Sequence, residues 1–235
     1  MPTTVVNPTK WARIFGAGSA TFSTARQNGS SVLNNTSTNS DRAIMYTSLS
    51  SRGTRVHTFN RTFYYFDLSG VSNLANLTTA SLDINGYVNA DSKVIIVSSS
   101  AFGGDGSSNA TTGEFFTSLD YSEPYTDTSG KQWVTGTNTL DLNTANVENY
   151  LKSEPDAFIF AIIDYNNDYL NAASLSDLEN YEGISFSDHA SGVELTLVTT
   201  TPPTTIGNIN GVAYNANNRF NRVLFSDIGN INGVT

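Results

Sequence analysis

Two short runs restrict this chain more than anything else in it. KVIIVSS (93–99) and AFIFAIIDY (157–165) are apolar at successive positions, not at every second or third one. They are short, rich in β-branched and aromatic residues, and bounded by Asp, Ser and Pro, which suits strands better than helices. A strand that is apolar at every position sends greasy side chains to both sides of its sheet. Both sides must then be covered, so these runs read as central strands.

Other segments carry the alternation of a sheet with one wet side. In ASLDING (80–86), Leu82 and Ile84 fall on one face, Asp83 and Asn85 on the other. GVELTLV (192–198) places Val193, Leu195 and Leu197 inward. AIMYTSLS (43–50) and TFYYFDL (62–68) are further strands by content. A single helix is predicted over NTANVENYLKSEP (143–155). Asn143 or Thr144 is its cap, Val147, Tyr150 and Leu151 recur at i, i+3 and i+4, and Pro155 stops it. Residues 102–136, made of Gly, Ser, Thr and Asp with scattered aromatics, read as long loops. The expected fold is all-β: an antiparallel β-sandwich of the jelly-roll kind, one short helix and an extended C-terminal tail.

Composition agrees. Only 14% of residues are charged, and Ser, Thr, Asn and Gly fill the gap, as β surfaces and turns prefer. With 13 Phe, 11 Tyr and 2 Trp there is enough aromatic mass for a core, which argues against global disorder. The net charge of −9 and the lack of any Lys/Arg cluster argue against nucleic-acid binding. Zero cysteines remove disulfides, thiolate chemistry and Cys-based zinc sites. The N-terminus MPTTVVNPTKWARIF has no basic stretch before an apolar run, so no signal peptide is read. No run is long enough for a membrane helix, so no membrane insertion is expected.

The end of the chain differs in kind. VTTTPPTT (198–205) stiffens the backbone into a spacer, because proline fixes φ and donates no ladder hydrogen bond. The expected organisation is a body at 1–198, a linker at 199–205 and a tail at 206–235. The tail spells IGNINGV twice, at 206–212 and 228–234, and its only charges are Arg219, Arg222 and Asp227. That is a net +1, leaving about −10 on the body. Each copy has apolar residues at every third position, Ile206, Ile209, Val212 and Ile228, Ile231, Val234, and an Asn-Gly pair that favours a tight turn. A heptapeptide cannot bury three branched side chains against itself. Packing onto its own body, with RVLF (222–225) as filler, is one solution. Docking into equivalent sockets on neighbouring subunits is the preferred one, because symmetry presents the same surface repeatedly and two linked plugs gain by effective concentration.

The body also resembles a known family. RTFYYFDLSGVSNLANLTTASLDINGY (61–87), NTLDLNTANVENYLKSEPDAFIFAIIDY (138–165) and GISFSDHASGVELTLV (183–198) are similar to successive parts of DNRLRE-type domains. The resemblance covers roughly residues 1–200. It implies a jelly-roll sandwich related to carbohydrate-binding modules, with 100–136, which departs from the family pattern, as the place for a ligand loop. The tail resembles C-terminal tails on structural proteins of tailed phages.

Chemistry-bearing groups are few. His57 and His189 lie outside any metal-ligand spacing and read as polar residues near strand ends. Glu114, Asp120, Glu123 and Asp127 could supply a carboxylate pair for glycoside hydrolysis, but a solvated acidic loop is the favoured reading. DYNNDY (164–169), with Asp177, Glu179 and Glu182, has oxygens that could hold calcium yet lacks the loop spacing; no metal and no cofactor are expected. Among the loop aromatics Phe102, Phe115, Phe116, Tyr121, Tyr125 and Trp133, the candidates for stacking on a sugar ring are Tyr121, Tyr125 and Trp133. For any single one, anchoring the loop to the core is the commoner use. The sum is an expectation of a non-enzymatic virion protein of a tailed phage. It would be a homo-oligomer or symmetric assembly bound to other virion proteins through its tail, with a glycan-binding or adhesion module as the alternative.

Overall fold

The computed structural model describes residues 1–35, 41–49, 53–89, 93–172, 181–186 and 192–200, together with four strand dipeptides in the tail. The chain opens with β1 (Thr3–Val6), β2 (Lys10–Gly16), a short helix α1 (Phe22–Gln27) and β3 (Gly29–Asn34). β4 (Asp41–Leu49) leads to two long strands, β5 (Arg55–Asp67) and β6 (Leu77–Asn89), followed by β7 (Lys93–Ser99). The next stretch holds helix α2 (Glu114–Thr117) and the two-residue strands β8 (Leu119–Asp120) and β9 (Lys131–Gln132). β10 (Gly136–Leu142), helix α3 (Thr144–Ser153), β11 (Ala157–Asp164), β12 (Tyr181–Phe186) and β13 (Val193–Thr199) complete the body.

All pairings are antiparallel, and one hydrogen-bonded path runs β1-β13-β6-β12-β4-β5-β11-β7-β8. β10 joins the free edge of β6, and β2 joins β5. The path folds over at β12 and β4, so the β13-β6-β10 layer faces the β5-β11-β7 layer in a sandwich-like, curled arrangement.

Between the layers lies the first core. Leu82 and Ile84 of β6, Leu140 and Leu142 of β10, and Leu195 and Leu197 of β13 meet Phe66, Phe158 and Phe160 from the other layer. β10 and β13 alternate buried with accessible residues, as the sequence pattern requires of a sheet wet on one side. β11 and the centre of β7 are buried throughout, as their unbroken apolar runs require. Their second face makes another core, where Ile159, Ala161, Ile163, Ile95 and Val97 lie under Phe59 and Phe63. That face is closed by Ala12 and Ile14 of β2, Ala25 of α1, and Phe102 and Phe115 from the long segment after β7.

Two expectations change here. Residues 102–136 are cover for the core: Phe102, Phe115, Tyr125 and Trp133 are all buried. A polar stretch can do this because a few large rings hold it down while Gly, Ser and Asp make the turns between them. Two short helices, α1 and α2, accompany the predicted one; at six and four residues they are too short to show a helical period. The helix that was read, α3, starts where expected, with the Asn143 side chain accepting a hydrogen bond from the Asn146 N–H at 3.2 Å.

The body ends beside its beginning. The Thr199 N–H donates to the Pro2 carbonyl at 3.0 Å, and Thr200 N–H to Asn76 at 2.9 Å, so strand order persists one residue into the expected linker. Beyond it the tail forms two separate two-stranded sheets, β14 (Asn208–Ile209) with β15 (Val212–Ala213), and β16 (Arg219–Phe220) with β17 (Val223–Leu224). Of the six expected anchors, Ile209 and Val212 are cross-strand partners. Ile206, Ile228, Ile231 and Val234 lie outside the described residues, as do His189, Asp177 and Glu179.

Candidate functional site

The second core carries an unusual charged group. Arg61, on the all-buried stretch of β5, is fully buried and meets Asp168 in a two-pronged ion pair, Nε to Oδ2 at 2.6 Å and an Nη2 bond to Oδ1 at 2.7 Å. Its remaining donors reach the carbonyls of Phe115 and, at 2.8 Å, Arg26. Arg26 of α1 binds the same Asp168 through Nε, to Oδ1 at 3.1 Å and to the backbone carbonyl at 2.8 Å. Burial works against the Arg61 charge, but Asp168 facing it outweighs that, with Tyr121 helping, and the guanidinium pKa rises above its ordinary value. The Arg61–Asp168 pair thus ties together β5, α1, α2 and the turn after β11.

That turn is a single π-helical turn, Tyr165–Tyr169, capped by Asp164, whose carboxylate accepts from the Asn167 N–H at 2.6 Å. The turn sets Tyr165 and Tyr169 nearly parallel, centroids 5.9 Å apart. Tyr169 continues to Tyr121 at 6.3 Å, and Tyr121 to Phe116 at 5.8 Å. The four half-exposed rings form a row across the surface of the second core. Arg26 lies 4.7 Å from the Tyr121 ring centre and 5.3 Å from that of Phe116, backing the row with positive charge. Burial and the nearby Asp168 push the Tyr121 hydroxyl pKa well above normal, so it acts as a neutral donor. The Tyr165 hydroxyl donates to the Thr128 carbonyl at 2.9 Å.

Thr128 also belongs to the wall of an open cleft of about 490 Å³ between the 122–128 segment and the start of α3. Glu123, Asp127, Asp141, Asn143 and Asn146 line it. The aromatic row and a polar cleft therefore meet at one residue.

Of the three residues expected to hold a sugar, Tyr121 lies in this row. Tyr125 and Trp133 do not: their exposures are 2% and 0%, and both sit in the first core, Tyr125 with its ring 4.9 Å from Phe158. No ring face is left for a sugar, so the structure assigns both to loop anchoring. Three of the four candidate carboxylates accept hydrogen bonds within their own turns, in keeping with the favoured loop reading. Glu114 accepts from the Thr111 N–H at 2.5 Å, and Asp120 from the Ser122 N–H at 2.9 Å. Asp127 accepts from the Ser129 N–H at 2.7 Å, and bonding to Ser129 lowers its pKa. Asp164 and Asp168 of the calcium-like stretch are taken by Asn167 and by the two arginines, and among the described residues no group of three metal-ligating side chains is found. His57 is buried edge-on to Phe22, ring centres 5.5 Å apart, and burial followed by Arg55 lowers its pKa.

The sequence reading missed Tyr165, Tyr169, Arg26 and Arg61. The signal for the tyrosines was present: two Tyr four positions apart directly after a strand buried on both faces must turn at the rim of the core. Arg61 left no such trace, since an arginine inside an aromatic strand reads as an accessible edge. Neither a protein-family model nor a curated protein matches the chain.

Proposed function

We propose that this chain is a non-enzymatic structural protein of a tailed-phage particle, with a jelly-roll body held outward and the tail as its anchor. The observation that carries this reading is the heptapeptide IGNINGV, spelled identically at 206–212 and 228–234 beyond a Pro-Pro spacer. Identical plugs suit identical sockets, and symmetric assemblies are where identical sockets arise. The tail's described strands pair only with each other, in keeping with a segment that completes itself elsewhere. Particles assembled with a chain ending at Thr200 should lack the protein while the shortened chain remains folded and accumulates free. Incorporation of that shortened chain at the full-length level would refute the anchor.

A second reading, compatible with the first, is adhesion to glycans by the displayed body. It is favoured by the row Phe116–Tyr121–Tyr169–Tyr165, whose Tyr165 hydroxyl bonds Thr128 in the wall of the polar cleft, because sugars offer an apolar ring face together with hydroxyls. Screened on a broad glycan array, the protein should bind a defined set, and Tyr165→Ala or Tyr169→Ala should abolish that signal. Silence across the array removes this reading and leaves the first intact.

A further inference from the structure

A second cleft, of about 420 Å³, lies at the other end of α3. Ser98 and Ser100 at the end of β7, Thr117 and Asp120 around β8, and Ser153 and Glu154 at the end of α3 line it. The first cleft is bounded by Asn143 and Asn146 at the start of the same helix. Along α3 the lining residues Asn143, Asn146, Tyr150, Ser153 and Glu154 recur at helical spacing, which keeps them on one face. The opposite wall is a single stretch of chain, 117–128, running antiparallel to the helix. Thr117–Asp120 stand across from its C-terminal end, and Ser122–Thr128 across from its N-terminal end. Midway the two walls touch. Asn146 Nδ2 donates to the Pro124 carbonyl at 2.9 Å, and the Tyr125 ring stands edge-on to Tyr150 with centres 6.0 Å apart.

Both clefts are therefore stations along one trough that follows α3 from Asn143 to Glu154, a rise of about 16 Å. Its lining is of one chemical kind: hydroxyls, the amides of Asn143 and Asn146, and the carboxylates of Asp120, Glu123, Asp127, Asp141 and Glu154. Among the described residues that line the two clefts there is no Lys or Arg. Burial, followed by Glu154, pushes the Tyr150 hydroxyl pKa up to about 12, so it stays neutral. Carboxylate and amide oxygens accept readily from the hydroxyls of a sugar chain. A chain that itself carries carboxylates or sulfates would instead meet like charge along the whole trough. Resting on the glycan reading above, we propose that the trough along α3 binds the interior of a linear, uncharged polysaccharide, the two clefts holding successive stretches of one chain.

Two linked contacts multiply through effective concentration, so ligand length is the diagnostic. Cellulose, mannan and starch oligomers of increasing length, titrated calorimetrically into the full-length protein, serve as probes. At least one series should bind, with affinity rising about a hundredfold at the length that first reaches from one cleft to the other. Ser153→Trp, which fills the second cleft from an exposed position, should erase that rise; Lys152→Trp, on another face of α3, should keep it. Polygalacturonate should not bind the unaltered protein and should bind a variant carrying both Glu123→Lys and Glu154→Lys. Melting temperatures serve as the folding control for every variant. Equal affinity at every length, a rise that survives Ser153→Trp, or a preference of the unaltered protein for polygalacturonate overturns the proposal and leaves glycan adhesion standing. Absence of binding to every oligomer also overturns it, and the broad array then decides whether adhesion falls with it.

Discussion

A buried arginine is costly to disturb in this body. Arg61 is held by Asp168 and by two carbonyls inside the second core, so removing Asp168 strands the guanidinium without water, whereas Asp168 keeps Arg26 when Arg61 is lost. Asp168→Asn should destabilise the fold by about 3–5 kcal/mol, roughly 10 °C in melting temperature, and Arg61→Met by less, because Arg26 still pairs with Asp168. Replacing both with apolar residues should recover part of that loss, because Arg26, at the rim of the core, is then the one charge that has lost its carboxylate; a double variant as unstable as Asp168→Asn alone would contradict it. His57 predicts a pH dependence. Its folded pKa lies below the unfolded value, so the neutral form is preferred in the fold, and its contribution is full above about pH 6.5. That contribution is lost as pH falls through the folded pKa. Urea midpoints measured across that window should fall towards acid, and less steeply in His57→Gln. Neither residue was legible. Patterns of apolar spacing report which face is buried, and they carry no information on a charge that finds its partner over a hundred positions away.

At the scale of the element, what could be read was what local sequence decides. β7, β11 and β13 follow from their runs, and α3 from Asn143 and Pro155; Asn143→Ala should cost about 1 kcal/mol by freeing the helix N-terminus. The long β6 was read only at its centre, because its outer part is held by tertiary pairing. Gly86, paired with Gly136, shows why. A Cβ there would stand 2.7 Å from the Trp133 ring nitrogen and 2.8 Å from the Asn138 amide, and would also meet the Val134 carbonyl. Gly86→Ala should therefore lower the unfolding midpoint, with Trp133 fluorescence reporting the displaced ring. Trp133→Ala should cost about 3–5 kcal/mol as a core truncation. Should any glycan bind, the surviving folded fraction of that variant should bind it normally, the reverse of Tyr165→Ala. The aromatic row went unread because it joins α2, the 121 region and the turn after β11, which meet only once β5 and β11 have paired.

Across the whole molecule, two cores share the strands β5, β11 and β7, so each side of the body depends on the other, while the tail depends on neither through any described strand pairing. Limited proteolysis should cut within 201–205 and leave a body whose melting matches the intact protein. The closeness of Pro2 to Thr199 has a practical outcome for anyone wishing to decorate this protein. Cargo joined ahead of Met1 would emerge beside the start of the tail, where the proposed anchor would have to engage. Thr135 is exposed and adjoins Gly136, which pairs with Gly86, nine residues along β6 from Leu77 and thus about 30 Å from the tail's exit. A small domain spliced in after Thr135 would ride at the far end of β6 from that exit, and the same domain at the front of the chain would not.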